Sequence, residues 1–273
     1  MRLFFAPNDF TGEQVNQAVE CVRVLEDLCG HRCALSREDS LSLFGDERGV
    51  KFAPAESDAI VSLGGDGSVL RAAQTAIACS KPLLGINSGR LGYLCALDFD
   101  EIRDFNAILS NCALSERSLL TFEYRGAACY ALNDVTIGKP NFGETVDLDV
   151  AARGRKPFRL RGDGLIIATP TGSTAYNLSA GGPVMDASVP AILLTPICAH
   201  DANAHPMVLD DRGEIVVSVR NSPAGLYADG RHVGELDGRL TVRRAARRID
   251  VYMRGIADAA KEPGIASRME RRA

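Results

Sequence analysis

Apolar residues in the first hundred positions change period several times. Arg2–Ala6 is a short apolar run and reads as a strand. Across Glu13–Leu28, Val15, Val19, Val22 and Leu25/Leu28 recur at helical steps with polar residues between them, which predicts a helix. Ala59–Leu63 is apolar apart from Ser62 and is cut off by Gly64–Gly67, so it reads as a buried strand. Ser68–Cys79 resumes helical spacing, with Val69, Ala72, Ala73 and Ala76 on one side. Pro82–Ile86 is a second buried strand, the glycine-punctuated stretch NSGRLGYL follows, and Asp100–Leu109 predicts a further helix. Leu41–Phe52 fits neither period. Short apolar strands alternating with helices imply a parallel sheet covered on both faces.

Near residue 110 the texture changes. From Ser118 onward the segments are short, partly alternating and bounded by Gly, Pro, Asn and Asp. They include Leu119–Tyr124, Tyr130–Ile137, Thr145–Ala151, Gly164–Ala168, Glu214–Val219 and Leu240–Val242. This is the pattern of an antiparallel β domain. The predicted fold class is therefore α/β plus β: an α/β domain over residues 1–110 and a β-rich, sandwich-like domain over 111–254. The tail from Gly255 to Ala273 carries no strand pattern.

At 273 residues with 46% hydrophobic and 24% charged content, the chain is long enough for two domains with real cores. A net charge of −4 gives no general attraction for nucleic acid or a membrane surface, so an anionic ligand needs a local site. No apolar run approaches the roughly 18 residues of a membrane span. Eight cysteines lie scattered with no CxxC pair, which points to a reduced, cytoplasmic protein with buried thiols rather than a disulfide framework or a zinc site.

Two stretches carry candidate chemistry. GGDGS, Gly64–Ser68, lies between a buried strand and a helix. Gly64, Gly65 and Gly67 allow a tight turn and close approach of a ligand, and the helix that follows offers unpaired N–H groups to phosphate. Asp66 is unexpected there, because a carboxylate repels phosphate. It has a place if it accepts a proton from an attacking hydroxyl or helps to hold Mg²⁺; otherwise it caps the helix. The segment has neither the GK[ST] ending of a P-loop nor the third glycine of GxGxxG.

The second stretch, Arg161–Asp186, is dense in hydroxyls and glycines: Thr169, Thr171, Ser173, Thr174, Tyr176 and Ser179, with Gly172, Gly181 and Gly182. Short hydroxyl side chains and exposed backbone suit the polar edges of a base and a ribose, and Tyr176 either stacks on a ring or belongs to the core. Asn133–Asp134 is a third candidate, either for adenine and ribose contacts or as a strand end.

These residues together resemble the bacterial NAD kinases. GGDGS matches that family's GGDGT, and Asn133–Asp134 matches its Asn-Glu pair. Asp163–Pro183 follows its DGxxxxTPTGSTAYxxSAGGP block almost letter for letter. Gly85–Leu94, Thr195–His200 and Asp229–Gly230 match in the same order. GGDG alone also occurs in diacylglycerol kinases and 6-phosphofructokinases, whereas the TPTGSTAY block is specific.

The resemblance implies Mg²⁺- and ATP-dependent phosphorylation of the adenosine ribose 2′-hydroxyl of NAD, with the dinucleotide in a cleft between the two domains. It implies a homodimer or homotetramer, and a C-terminal segment, about 255–273, that packs back on the first domain. Asp66 becomes the candidate general base. Asn133, Thr174 and Ser179 would contact adenine and Asp134 the ribose. Asp163, Ala175 and Tyr176 would complete the NAD site together with Gly67, while Gly64, Gly65 and Ser68 lie at the phosphates. Protein ligands for the metal are not readable. Asp134 stands in place of the family's Glu, Ser68 in place of Thr, and Ala199 and His205 where Pro and Arg are commoner. His200 is either a site residue or a structural histidine. Two other readings are a sugar or lipid kinase sharing the GGDG loop, which leaves the TPTGSTAY block unexplained, and a dinucleotide-sensing regulator, which has no use for Asp66.

Overall fold

The computed structural model describes residues 1–8, 10, 12–89, 92–220 and 223–254. The chain divides into two units, Met1–Glu116 joined by the chain from Ile249 onward, and Arg117–Arg248. The expected packing of residues 255–273 lies outside the described residues.

In chain order the first unit contains β1 (Arg2–Phe5), α1 (Glu13–Asp27), β2 (Arg32–Ala34), α2 (Arg37–Phe44), β3 (Ala59–Leu63), α3 (Asp66–Cys79), β4 (Leu83–Asn87), β5 (Leu97–Asp98) and α4 (Phe105–Asn111). Its sheet is parallel: β1 pairs with β2 and β3, β3 with β4, and β4 with β5. Every residue of β3 and β4 is buried, the mark of strands covered on both faces. One cover is α3, whose Val69, Ala72, Ala73, Ala76 and Ile77 form a buried stripe. Small alanines there let the helix lie close to β3 and β4. On α1 the buried Ala18, Cys21, Val22 and Leu25 keep the same spacing.

Two segments differ from expectation. Within the ambiguous Leu41–Phe52 stretch the chain finishes α2, which begins at Arg37 because Ser36 Oγ accepts the Asp39 N–H, and ends at Gly45 in a left-handed conformation. The helix expected over Asp100–Leu109 splits into a 3₁₀ segment, Phe99–Asp104, and then α4. The first part starts where the Glu101 carboxylate accepts the Asp98 N–H at 3.0 Å.

The last strand of the second unit (Arg239–Arg254) runs on into the first, where Val251 pairs in parallel with Leu83 of β4, while the strands of the second unit pair antiparallel with one another. Its strands are β6 (Cys112–Tyr124), β7 (Ala127–Ala131), β8 (Asp134–Gly138), β9 (Val146–Ala152), β10 (Phe158–Gly162) and β11 (Gly164–Ala168), then, after the short helix α5 (Tyr176–Ser179), β12 (Ala191–Ile197), β13 (Met207–Asp210), β14 (Glu214–Val219), β15 (Ala224–Ala228), β16 (Arg231–Leu236) and β17 (Arg239–Arg254). One sheet has the order β13-β12-β11-β8-β15-β16, and another set runs β10-β9-β14-β17. Alternate residues from both meet in one core: Val135 and Ile137, Leu165 and Ile167, and Ile192 and Leu194 from the first; Val146, Leu148 and Val150, Ile215 and Val217, and Leu240 and Val242 from the second. That is a two-sheet sandwich, with the period of two expected of pleated strands.

β11 is buried at all five positions. Its outward residues, Ile166 and Ala168, pack with Leu193, Ala180 and Met185, so the segment after β11 covers the outer face of its own sheet. The stretch Tyr130–Ile137 is not one strand: β7 ends at Ala131 and β8 begins at Asp134. Among the described residues no helix is long and apolar enough to cross a membrane. All eight cysteines are unbridged, yet only Cys21 and Cys33 are fully buried and Cys198 is exposed, so the expectation of buried thiols holds for a minority.

Candidate active site

In the first unit the loops after β1, β3 and β4 leave the carboxyl ends of parallel strands, the usual place for a site in such a sheet. Gly65 is the N-cap of α3 and Asp66 its first residue, but no side chain caps this helix. Asp66 instead reaches the loop after β4. The Tyr93 N–H donates to Oδ2 and the Leu94 N–H to Oδ1, each at 3.0 Å. The helix-cap reading of Asp66 is thereby set aside. Each carboxylate oxygen keeps a further lone pair for a hydroxyl proton.

The loop fits closely around that carboxylate. A Cβ on Gly92 would stand 2.8 Å from Asp66 Oδ1, so a side chain there would displace the carboxylate or the loop. Cys95 Sγ lies 3.7 Å from the Gly64 carbonyl oxygen, and burial followed by the charges of Asp66 and Asp98 pushes its thiol up to about 12. It is a neutral packing group, not a nucleophile. Gly67 is exposed, while Gly65 and Ser68 are half-buried. Arg71, one turn on, donates to Ser68 Oγ at 3.0 Å and to Asn8 Oδ1 at 2.7 Å, and Asn8 donates to the Leu63 carbonyl at 3.0 Å. This places a guanidinium beside the glycine turn. Arg71 and Asn8 were not singled out from sequence, because nothing in their local patterns marks them.

In the second unit, the break between β7 and β8 is stitched to the segment after β11. Thr169 Oγ1 donates to the Leu132 carbonyl at 2.6 Å, the Thr169 N–H donates to the Asn133 carbonyl at 2.8 Å, and the Gly172 N–H donates to Thr169 Oγ1 at 3.1 Å. At Gly172 a Cβ would sit 2.2 Å from the Asn133 carbonyl oxygen, so only glycine allows this approach. Asn133 Oδ1 and Thr171 Oγ1 are buried here without a hydrogen-bond partner among the described residues. Leaving such atoms unmet costs about 1–3 kcal/mol each, which a ligand with complementary donors and acceptors would recover.

Further along, Asn177 is fully buried and acts as a clasp. Its Nδ2 donates to the Ser173 and Pro183 carbonyls, both at 3.0 Å, and its Oδ1 accepts from Thr195 Oγ1 at 2.7 Å. Ser173 Oγ bridges to Met185, donating to its carbonyl and accepting its N–H. The clasp leaves Tyr176 and Ser179 exposed, with Thr174 and Ala175 half-buried. Ala175 N–H donates to the Gly172 carbonyl at 3.0 Å.

Asp134 is buried, and burial first, then the charge of Asp229, push its carboxyl up to about 7; Thr136 Oγ1, which donates at 3.2 Å, pulls the other way. Asp163 pairs with Lys139 at 2.8 Å. The Tyr176 phenol is raised by burial and by the charges of Cys198, Asp134 and Asp163, so Asp134, Asp163 and Tyr176 share one electrostatic neighbourhood. Asn133, Asp134, Asp163, Thr174, Ala175, Tyr176 and Ser179 therefore all belong to the second unit, and Gly64, Gly65, Asp66, Gly67 and Ser68 to the first. His200 and His205 are exposed, and the His200 N–H donates to the Arg161 carbonyl. Asn177 and the grip of Asp229 on the β7–β8 break were not read from sequence: Asn177 is one polar residue in a polar stretch, and the partners of Asp229 are distant in the chain.

Comparison with known proteins covers both units. Residues 8–113 match the family described as ATP-NAD kinase N-terminal domain, and residues 132–252 match ATP-NAD kinase C-terminal domain. A relative from Thiobacillus denitrificans, named NAD kinase, is 36% identical over 267 residues, covering 91% of this chain and 92% of its own. The crystal structure of an Archaeoglobus fulgidus NAD kinase in complex with ATP superposes with a TM-score of 0.72 at 26% identity, over 93% of this chain and 94% of that one. The yeast NADH kinase, solved with NADH, gives a TM-score of 0.82 at 24% identity over 98% and 88%, a likeness of fold.

Proposed function

This chain belongs to the NAD kinase family and is a phosphotransferase. On that premise we propose that it transfers the γ-phosphoryl group of ATP to the adenosine ribose 2′-hydroxyl of NAD, giving NADP, with Asp66 as general base. The observation that carries the assignment of the base is the placement of its carboxylate. Two backbone N–H groups fix it at a glycine turn, in a position where an acidic side chain is a liability for phosphate unless it handles a proton.

In the reaction the 2′-oxygen attacks the γ-phosphorus and forms the new O–P bond. The bond from that phosphorus to the β–γ bridging oxygen breaks, ADP departs, and the hydroxyl proton passes to Asp66. Gly64, Gly65 and Ser68 lie at the phosphates around the start of α3, where the Gly64 and Ser68 N–H groups already donate to the Ile86 and Gly65 carbonyls, and Gly67 leaves room beside them. Asn133, Thr174 and Ser179 recognise adenine, Asp134 the ribose, and Asp163, Ala175 and Tyr176 complete the NAD site. The unmet Asn133 Oδ1 supports this, since the adenine amino group is a donor that can satisfy it. Positioning and charge neutralisation do most of the work in phosphoryl transfer.

Among the described residues no three His, Cys, Asp or Glu side chains gather into a metal-holding group. In this reading a Mg²⁺ ion, or another divalent cation, would arrive on the nucleotide's phosphates and neutralise charge there. A homodimer or homotetramer in the cytoplasm is part of the same reading.

The test is NADP formation from NAD, ATP and Mg²⁺ by purified protein, read with an NADP-specific dehydrogenase. Absence of NADP from folded protein, with ATP and with polyphosphate as donor, would overturn the assignment.

A further inference from the structure

Asp229 holds the turn between β15 and β16, on backbone with φ of +50°, followed by Gly230 at +74°. Two positive φ values in a two-residue connection make the tight hairpin turn that suits twisted strands. Asp tolerates such backbone better than most residues, yet it remains strained there. The side chain explains why it stands in that turn.

Its carboxylate takes three successive backbone N–H groups from the break between β7 and β8. Oδ2 accepts from Leu132 at 2.9 Å, and Oδ1 accepts from Asn133 at 2.7 Å and Asp134 at 3.2 Å. The Asp229 N–H in turn donates to the Asp134 carbonyl at 2.9 Å. No strand partner serves these N–H groups, so the carboxylate replaces a missing length of β ladder with one anion. Asp229 is itself buried.

We infer that Asp229 is a positioning residue for the nucleoside: it fixes the β7–β8 break so that Asn133 Oδ1 and the Asp134 carboxyl are presented in the orientation NAD requires. The inference rests on the assignment of Asn133 and Asp134 to the NAD site. Thr169 grips the same break through the Leu132 and Asn133 carbonyls, whereas among the described residues Asp229 grips its N–H groups.

The pair of carboxylates supplies a readout that a merely structural role would not move. Asp229 has three N–H donors and the Arg231 charge to favour its ionised form, although burial outweighs them and raises it. Asp134 has only Thr136. Both carboxyls are raised, and Asp134, with the fewer groups favouring its ionised form, is pushed up to about 7. The charged group that bears on Asp229 is Arg231 from β16, and Asp134 in turn bears on the Tyr176 phenol of α5, which Asp163 and Lys139 also face. Ionised Asp134 accepts more strongly from a ribose hydroxyl, so NAD affinity rises as pH increases through about 7.

The experiment is calorimetric titration of NAD into wild type, Asp229→Asn and Asp134→Asn proteins from pH 5.5 to 8.5, with ATP affinity and thermal midpoint measured alongside. Asn keeps the turn's backbone and one acceptor but removes the charge and meets the Leu132 N–H poorly. We expect Asp229→Asn to weaken NAD about tenfold, the worth of a charge-assisted hydrogen bond, with ATP affinity unchanged. Its pH inflection should move toward acid by about one unit or more, because the neighbouring charge is gone. Asp134→Asn should bind NAD with no inflection. An unmoved inflection in Asp229→Asn, or equal loss of NAD and ATP binding, would overturn the inference. Failure of wild-type protein to bind NAD would instead overturn the function on which it rests.

Discussion

The Leu94 N–H donates to Asp66 Oδ1 at 3.0 Å, joining the loop after β4 to the first residue of α3 across 28 positions of sequence. With Tyr93 as second donor, the carboxylate is held from one side by backbone that has no rotamer freedom of its own. A proton acceptor fixed in this way loses little entropy when substrate arrives. Substituting Asn keeps the size, removes the charge and turns an NH₂ toward one of the two N–H donors. For Asp66→Asn we expect kcat to fall about 10²- to 10⁴-fold, the usual worth of a general base, while NAD binding stays measurable. Single-turnover assays with a parallel NAD titration check this; unchanged turnover would remove Asp66 from the chemistry.

The same loop makes a second expectation. A methyl group on Gly92 would come within 2.8 Å of Asp66 Oδ1, inside van der Waals contact. If the loop gives way, Tyr93 and Leu94, the two donors to Asp66, shift with it. Gly92→Ala should therefore cost turnover well before it costs stability. A thermal midpoint near wild type beside a kcat reduced at least about tenfold is the expected pair of results, following from the sensitivity of phosphoryl transfer to a displacement of about 1 Å. Normal kcat would show that the contact is relieved without moving Asp66.

Asn177 presents the opposite case, a side chain whose worth is structural. Its amide makes three hydrogen bonds from a fully buried position and closes the segment that carries Thr174, Tyr176 and Ser179. Asn177→Ala leaves two carbonyls and the Thr195 hydroxyl unmet. Loss of such partners costs about 1–3 kcal/mol apiece, non-additively, so we expect a destabilisation of about 2–4 kcal/mol in urea unfolding, accompanied by a raised KM for NAD. Unchanged stability would mean that the segment is held by its apolar contacts with Ile166, Ala168 and Leu193 alone.

The parts of this arrangement that are local in the chain were legible in the sequence. β3 and α3 announce themselves by a change from continuous apolar residues to a helical stripe, so GGDGS had to be a strand-to-helix turn. The TPTGSTAY block stands out by its hydroxyls and glycines, and becomes a candidate site through its resemblance to the NAD kinases. The break at Leu132–Asn133 was half legible: the polar pair Asn133–Asp134 stops the apolar run and reads either as a strand end or as ligand contacts. What interrupts the strand is Asp229, nearly a hundred residues later, and the sequence there shows only a turn. Likewise α2 has only two buried residues, Asp39 and Ser40, both polar, so no apolar period could reveal it. For Asp66 the sequence allows a proton acceptor, a Mg²⁺ holder or a helix cap, and its partners in the loop after β4 remove only the cap.

The departure of this chain from the family's Asn-Glu pair leads to a last expectation. Asp134 is buried beside Asp229, and its carboxyl is raised from the ordinary 3.8 to about 7. A carboxyl with a higher pKa in the folded state than in the unfolded state favours folding while it is protonated. Its contribution is complete below the unfolded value and is lost as pH rises through the folded one. Wild-type protein should accordingly give up part of its stability between about pH 4 and pH 7 through this one group. Asn at position 134 is neutral throughout, retains an acceptor for Thr136 Oγ1, and pays no cost of ionisation next to Asp229. Asp134→Asn should therefore flatten the pH dependence of the thermal midpoint over that window and exceed wild type in stability at pH 8, even as it weakens the ribose contact. Thermal unfolding of both proteins across pH 4–8.5 decides the matter. Parallel curves would mean that Asp134 is ionised throughout the window, and that the proton shared by the pair resides on Asp229 instead.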